Sequence, residues 1–302
     1  MTVAAPVSRR RRVRRGSLTP YLFLTPTLFF VAVLFVGPFL YNILISFFDW
    51  SLMRPSTLVG FDNYVDVLAS ARFWNSFSNT MVFALLTVPV GFVLSLLVAL
   101  GLHALAIRHG SSIIRALYFM PVVASLTAVA ATWQWIFNPV YGLANALLKA
   151  LGLPGAAWLT SQTEVLPSLA TMYIWARLGF NAIILLAGLN AIDKSYYEAA
   201  RIDGATRWQL FWNITLPLLN RQIVLVVTVE IMNALKIFDL PFAATQGGPS
   251  GASRTLIMEV QQQAFKFDSW GIAAVYVLIT FAVILLMTLL VRRLLSRDIS
   301  ES

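Results

Sequence analysis

Six apolar runs decide most of what this chain can become. They lie at about 20–46, 77–102, 116–137, 165–189, 218–240 and 270–291. Each meets the ~20 residues that a helix needs to cross the hydrocarbon core of a bilayer. A segment in lipid must satisfy its own backbone hydrogen bonds, so runs of this length read as helices. Only 12% of the 302 residues are charged and 59% are hydrophobic, where a soluble domain carries roughly 25% charge. The predicted fold class is an all-α integral membrane protein of about six transmembrane helices. They fill one domain over residues 18–295, between a basic tail at 1–17 and a short tail at 296–302. Pro26 and Pro38 are expected to kink the first helix, and Pro241 to stop the fifth. A secretory signal is not expected, because the run after Leu18 exceeds the ~7–15 residues of a signal core and lacks a small-residue cleavage site.

The net charge of +9 would suit a nucleic-acid binder if it formed a patch. Instead the basic residues sit at the N-terminus (Arg9–Arg12, Arg14, Arg15) and in short loops, which is a topology signal. With the N-terminus inside, fifteen of the 22 Lys and Arg fall on the cytoplasmic side and five outside. That count places both termini and residues 198–217 in the cytoplasm. No cysteine is present. His103 and His109 share one short loop without a carboxylate cluster and read as solvated, so no metal or catalytic site is expected.

Residues 198–217, EAARIDGATRWQLFWNITLP, form a polar island. Glu198, Ala199 and Ala200 favour helix. Gly204 permits a bend. Trp208, Phe211, Trp212 and Thr215 follow helical spacing, Asp203 and Arg207 can pair four apart, and Pro217 suits the first turn of a following helix. The stretch reads as a helix–bend–helix outside the bilayer. A short amphipathic helix resting on the membrane surface has the same pattern.

Charged residues inside a membrane span cost on the order of 2.5–3.5 kcal/mol or more. In the fourth run Tyr173, Arg177 and Asn181 recur every four residues; in the fifth, Glu230, Asn233, Lys236 and Asp239 recur every three. One reading is a polar cavity for substrate. The other is an Arg177–Glu230 staple between two helices, with a local Lys236–Asp239 pair.

Residues 198–217 resemble the cytoplasmic coupling loop of permease subunits in binding-protein-dependent ABC importers. That family's Glu-Ala-Ala, Gly, Ile and Leu-Pro match Glu198, Ala199, Ala200, Gly204, Ile214, Leu216 and Pro217. Phe61-Asp62-Asn63-Tyr64, Asn79-Thr80, Phe238-Asp239 and Thr245-Gln246-Gly247-Gly248-Pro249 look like the maltose and glycerol-3-phosphate permease family, in its maltose F-type branch. The resemblance implies a coupling loop at 190–217 that includes Asp203. It implies sugar contacts at Tyr173, Trp175, Arg177, Glu230, Asn233 and Ala234, where the alanine departs from the family's hydrogen-bonding chemistry. Without Ala234, and with Asn181 and Lys236 added, these make the seven-residue candidate substrate pathway.

The implied partners are a second paralogous permease, two ABC ATPase subunits, an extracytoplasmic substrate-binding protein and membrane lipid, in a bacterial plasma (inner) membrane. The chain has no Gly-x-x-x-x-Gly-Lys-Ser/Thr loop, so ATP and Mg are expected on the partner ATPase and no cofactor here. The implied cargo is a sugar or sugar-like polyol. Glycerol-3-phosphate or a glycerophosphodiester is the alternative, since Arg177 suits phosphate. An integral-membrane enzyme and a proton-coupled secondary transporter using Glu230 are alternatives of other classes.

Overall fold

The structure, a computed structural model, describes residues 19–105, 118 and 120–295. The basic tail, Arg108, His109, Arg115 and the tail at 296–302 lie outside the described residues.

The first span is two helices in line, α1 (Thr19–Val31) and α2 (Gly37–Ile45), joined by a π-helical turn at Ala32–Val36. Pro38 has no amide to give to the ladder. The bonding widens just before it, and Gly37 donates to the Ala32 carbonyl. The expected irregularity is therefore an inserted residue ahead of Pro38.

The polar segment that follows holds a two-residue antiparallel pair, β1 (Phe48–Asp49) with β2 (Thr57–Leu58), and helix α3 (Asp62–Ala69). Buried Asn63 ties it down by donating to the carbonyls of Ser46 at 2.8 Å and Phe48 at 2.9 Å. The Asp268 carboxylate accepts from the Ser51 hydroxyl, the amides of Leu52 and Met53, and the Trp270 indole. These bonds, Ser51 foremost, hold its pKa below the ordinary aspartate value.

Helix α4 (Ala71–Leu105) starts six residues ahead of the apolar run and packs along α7 (Val165–Ala191). One core gathers Phe83, Val129, Leu169, Met172, Tyr173 and Leu240; a second gathers Leu96, Ala99, Leu185, Leu189, Leu219 and Val226. His103 sits in the last turn of α4, not in a loop, and its Nδ1 lies 2.9 Å from Asn190 Oδ1.

The third expected span is interrupted. Among the described residues it is a 3-10 turn at Met120–Val123 and an eleven-residue helix, α5 (Leu126–Ile136). Pro121 breaks the ladder, and Ser125 restarts it by accepting from the Ala128 amide. Helix α6 (Leu143–Ala150) follows.

The fifth span also differs. A helix–bend–helix is built from α8 (Lys194–Ile202), α9 (Arg207–Leu210), a π-helical turn at Phe211–Thr215 and α10 (Leu216–Leu218). It meets α11 (Asn220–Leu235) at 66°. Helix α11 ends at Lys236 rather than Pro241. Pro241 instead occupies the first turn of α12 (Asp239–Thr245), where its missing amide costs nothing. The intervening carbonyl of Ile237 is satisfied by the Thr255 hydroxyl at 2.9 Å. Short helix α13 (Leu256–Gln261) leads through a π-helical turn to α14 (Trp270–Leu295).

Among the described residues, four helices are long and apolar enough to span a bilayer, or five if the pair at 207–235, bent by 66°, counts as one span. The bundle has two ends. At the bend end, His103 meets Asn190, and Asn220 donates to the Leu295 carbonyl. At the opposite end, Asn79 donates to the carbonyls of Gly251 and Arg254, and the Trp270 amide to that of Trp50.

Gly188 sets the approach of α11 to α7. A Cβ there would lie 2.6 Å from Leu219 and 2.6 Å from Gln222. We expect Gly188→Val to cost about 1–3 kcal/mol, read as a lower melting midpoint in detergent, with Gly101→Val, whose Cβ would meet nothing within 4 Å, as the silent control.

Candidate functional site: a polar cleft and a helix–bend–helix

The bend end carries the helix–bend–helix. Asp193 caps α8 by accepting from the Ser195 amide at 2.9 Å, and that bond lowers its pKa. The helix stops in a Schellman arrangement: Gly204 has φ of 80°, the Gly204 amide donates to Arg201, and the Ala205 amide donates to Ala200. Thr206 and Gln209 then form a reciprocal capping box that starts α9. The hydroxyls of Tyr197 and Thr215, 3.0 Å apart, close the V between the two arms. Glu198, Ala199, Asp203, Gly204 and Pro217 are exposed; Ala200 and Leu216 are half-buried. Asp203 and Arg207 form no ion pair. The bend at Gly204 lies between them, so four residues no longer make one helical turn. Trp208, Phe211 and Trp212 do touch, with the Trp208 and Trp212 centroids 5.5 Å apart.

The polar cleft lies between α7 and the break after α11. It encloses about 170 Å³ and is lined by Tyr173, Arg177, Asn233, Lys236, Phe238 and Asp239 among others. Helix α11 ends at Lys236, and Lys236 to Asp239 line the opening together with Tyr173 and Arg177 of α7. Arg177 Nε lies 3.2 Å from Glu230 Oε1, and its guanidinium stands 5.0 Å from the Phe180 ring. Glu230 is 3% exposed and sits behind the arginine. The Tyr173 hydroxyl is buried beside Arg177 and Glu230 without a well-formed hydrogen bond among the described residues. Phe238 stacks on Phe242 at 4.9 Å.

Four of the seven residues expected along the pathway thus share one cleft. Glu230 reaches it through Arg177. Trp175 does not line it: the ring packs 5.8 Å from Trp133 and stays 45% exposed. Asn181, two turns from Tyr173, is buried with its Oδ1 unpartnered and lies outside the lining. Ala234 is fully buried in the core. Lys236 and Asp239 form no ion pair, because the helix ends between them, and both are exposed. Asp239 belonged to the three-residue recurrence but not to the expected site, and Phe238 was legible only from the Phe-Asp dipeptide.

Removing one partner of a buried ion pair costs more than removing both. In a double-mutant cycle, Glu230→Met and Arg177→Met are each expected to lower the melting midpoint of the purified protein. The double variant should recover at least about 1 kcal/mol relative to their sum.

Over residues 56–298 the chain matches the model of the family described as binding-protein-dependent transport system inner membrane component. It is 32% identical to the sulfoquinovosyl glycerol transport system permease protein SmoG of Agrobacterium fabrum, covering 92% of this chain and 90% of that one. It is likewise 32% identical to the trehalose/maltose transport system permease protein MalF of Thermococcus litoralis, covering 89% and 90%. The fold is shared with a bacterial alginate ABC transporter solved in complex with its alginate pentasaccharide-bound periplasmic protein. That likeness has a TM-score of 0.78 at 23% identity and covers 94% and 96% of the two chains. The cleft, the exposed bend and the multi-pass bundle are therefore parts of a non-catalytic permease: the chain belongs to the family of binding-protein-dependent ABC transport system inner membrane components.

Proposed function

We propose that this permease carries a sugar or sugar-like polyol inward across the membrane, taking it from an extracytoplasmic binding protein. The carrying observation is that one pair of helices, α7 and α11, joins the polar cleft to the exposed helix–bend–helix. In this reading α8 and the bend at Gly204 seat in a partner ATPase, with Glu198, Ala199, Ala200 and Asp203 at the contact and Leu216 and Pro217 transmitting it. ATP and Mg are bound by that partner, and a second, paralogous permease completes the pathway. Both termini and the bend then face the cytoplasm, and the cleft end faces outward. Force on α8 passes through the Tyr197–Thr215 contact and the 66° corner into α11, whose far end closes one wall of the cleft.

The cleft chemistry bears on the cargo. Arg177 and Lys236 are offset by Glu230 and Asp239, so the site is charge-balanced while offering the Tyr173 hydroxyl and the Asn233 amide. That balance favours an uncharged polyhydroxylated cargo over glycerol phosphate. A phosphate at the free guanidinium nitrogens of Arg177 would lie close to the Glu230 and Asp239 carboxylates, which repel it. Trehalose and maltose, named for one relative, fit that chemistry; the sulfoquinovosyl glycerol named for another carries a sulfonate and marks the anionic limit of the neighbourhood.

Glu198→Lys and Gly204→Val are expected to abolish sugar uptake while the chain still inserts and the ATPase retains basal hydrolysis. Valine at Gly204 would be held at a φ of 80°, which β-branched residues avoid. Normal uptake of radiolabelled disaccharide by both variants would sink the coupling assignment.

A further inference from the structure

The end of the bundle opposite the bend carries a second opening, separate from the cleft. It encloses about 560 Å³ between the start of α4 and the loop after α12, and is lined by Arg72, Asn75, Gln246, Gly247, Gly251 and Arg254 with their neighbours. Its donors converge. Gln246, Gly247, Ser250 and Gly251 all have positive φ, at 51°, 86°, 50° and 82°. These two left-handed pairs keep the loop out of any hydrogen-bonded ladder, and amides presented by such turns can hold anions. No group among the described residues accepts from the amides of Gly247, Ser250 or Gly251. The positive end of α4, 35 residues long, adds to the field.

The opening is built rather than incidental. Asn75 and Asn79 hold the Gly251 carbonyl at 3.0 and 2.8 Å. Buried Ser253 donates to the Gly248 carbonyl and meets Thr245 at 2.7 Å. Arg254 is anchored by Glu259, which is fully buried, 3.4 Å away and outside the lining. Burial pushes the Glu259 pKa up, against the pull of Arg254 and Arg72. Arg72 is exposed, with its guanidinium 5.5 Å from the Phe267 ring and no carboxylate within 4 Å among the described residues. Arg254 is thus already charge-paired by Glu259, while Arg72 forms no ion pair and feels Glu259 only at longer range.

We propose that Arg72, Asn75, Arg254 and the Gln246–Gly251 loop form a socket for an acidic side chain of the extracytoplasmic binding protein. This rests on the transport reading above. The choice of occupant follows from continuity with the cleft. Helix α12 begins at Asp239 in the cleft wall and ends at Thr245 in the socket wall. A protein gripped at the socket thus holds one end of the short helix whose other end borders the cargo site. The surface charge also speeds encounter with an acidic partner.

The test uses the whole complex in lipid nanodiscs and the substrate-loaded binding protein of the same host system, with affinity and stimulation of ATP hydrolysis as the readouts. Wild-type affinity is expected to fall as salt rises. Arg72→Glu should weaken binding about tenfold or more and flatten the salt dependence, with the complex still assembling on gel filtration. Gln246→Glu should act in the same direction and Gln246→Lys should not weaken binding. Unchanged affinity in both glutamate variants overturns the socket and leaves the transport reading standing. An Arg72→Glu effect seen only in phosphatidylglycerol-containing discs also overturns it, by assigning the site to lipid headgroups. If wild type neither binds the protein nor is stimulated by it, the transport reading fails and takes the socket with it.

Discussion

The packing of α4 along α7 is the contact on which the rest of the molecule depends. In lipid, one apolar helix gains little from hiding its side chains against another, so close approach and internal polar bonds must hold the pair. Helix α7 is equipped for this. Ala170, Ala176, Gly179, Ala182 and Gly188 are buried along it, and more than half of its apolar window is enclosed, against 6% for the first span. α5, α11 and α12 then pack on the same seam. The first span lies at the other extreme, held to α14 by the Phe39–Phe281 contact at 4.9 Å and by Asn42.

The breaks in the helices sit where the polar chemistry is. Irregular backbone inside a membrane protein is tolerated where protein buries it or a cavity solvates it. The turn after Lys236 meets both conditions: Thr255 satisfies the Ile237 carbonyl, and the turn borders the cleft. At the bend end, the Schellman stop at Gly204 and the capping box at Thr206 satisfy the exposed termini of α8 and α9 without help from a partner. That end is consequently preformed, with Glu198 and Ala199 outward.

Both working regions hang from α7 and α11. A rigid α11 has its first residue beside the 66° corner and its last beside Asn233 and Lys236. Gly188 lets it lie closely enough on α7 for Leu219 and Gln222 to occupy the space of a missing side chain. A displacement at one end of such a helix is felt at the other, because a packed seam moves as a body rather than bending residue by residue. The Arg177–Glu230 pair bridges the same two helices at the edge of the cleft and adds a polar tie.

Much of this was legible in the residues alone. Apolar run length specified an all-helical membrane bundle, because lipid offers the backbone no other partner. Glu-Ala-Ala and Gly204 specified the helix and its bend, since helix propensity and a positive φ are local properties. The recurrence of Tyr173 and Arg177, and of Glu230, Asn233 and Lys236, marked the polar faces that meet in the cleft. What local pattern could not resolve was where each ladder ends. Pro241 reads as a stop, but Thr255, eighteen residues beyond Ile237, moves the break to Lys236. Pro121 divides a run that hydropathy alone presents as one span. Trp175 shares a helix with Tyr173 yet falls outside the cleft, because which side of α7 faces α11 is set by packing against α4 and α5; Asn181 follows the recurrence of Tyr173 but lies two turns further along, beyond the lining. The socket at Arg72 and Arg254 joins residues 182 positions apart, and only the tertiary fold brings such distant donors onto one cavity.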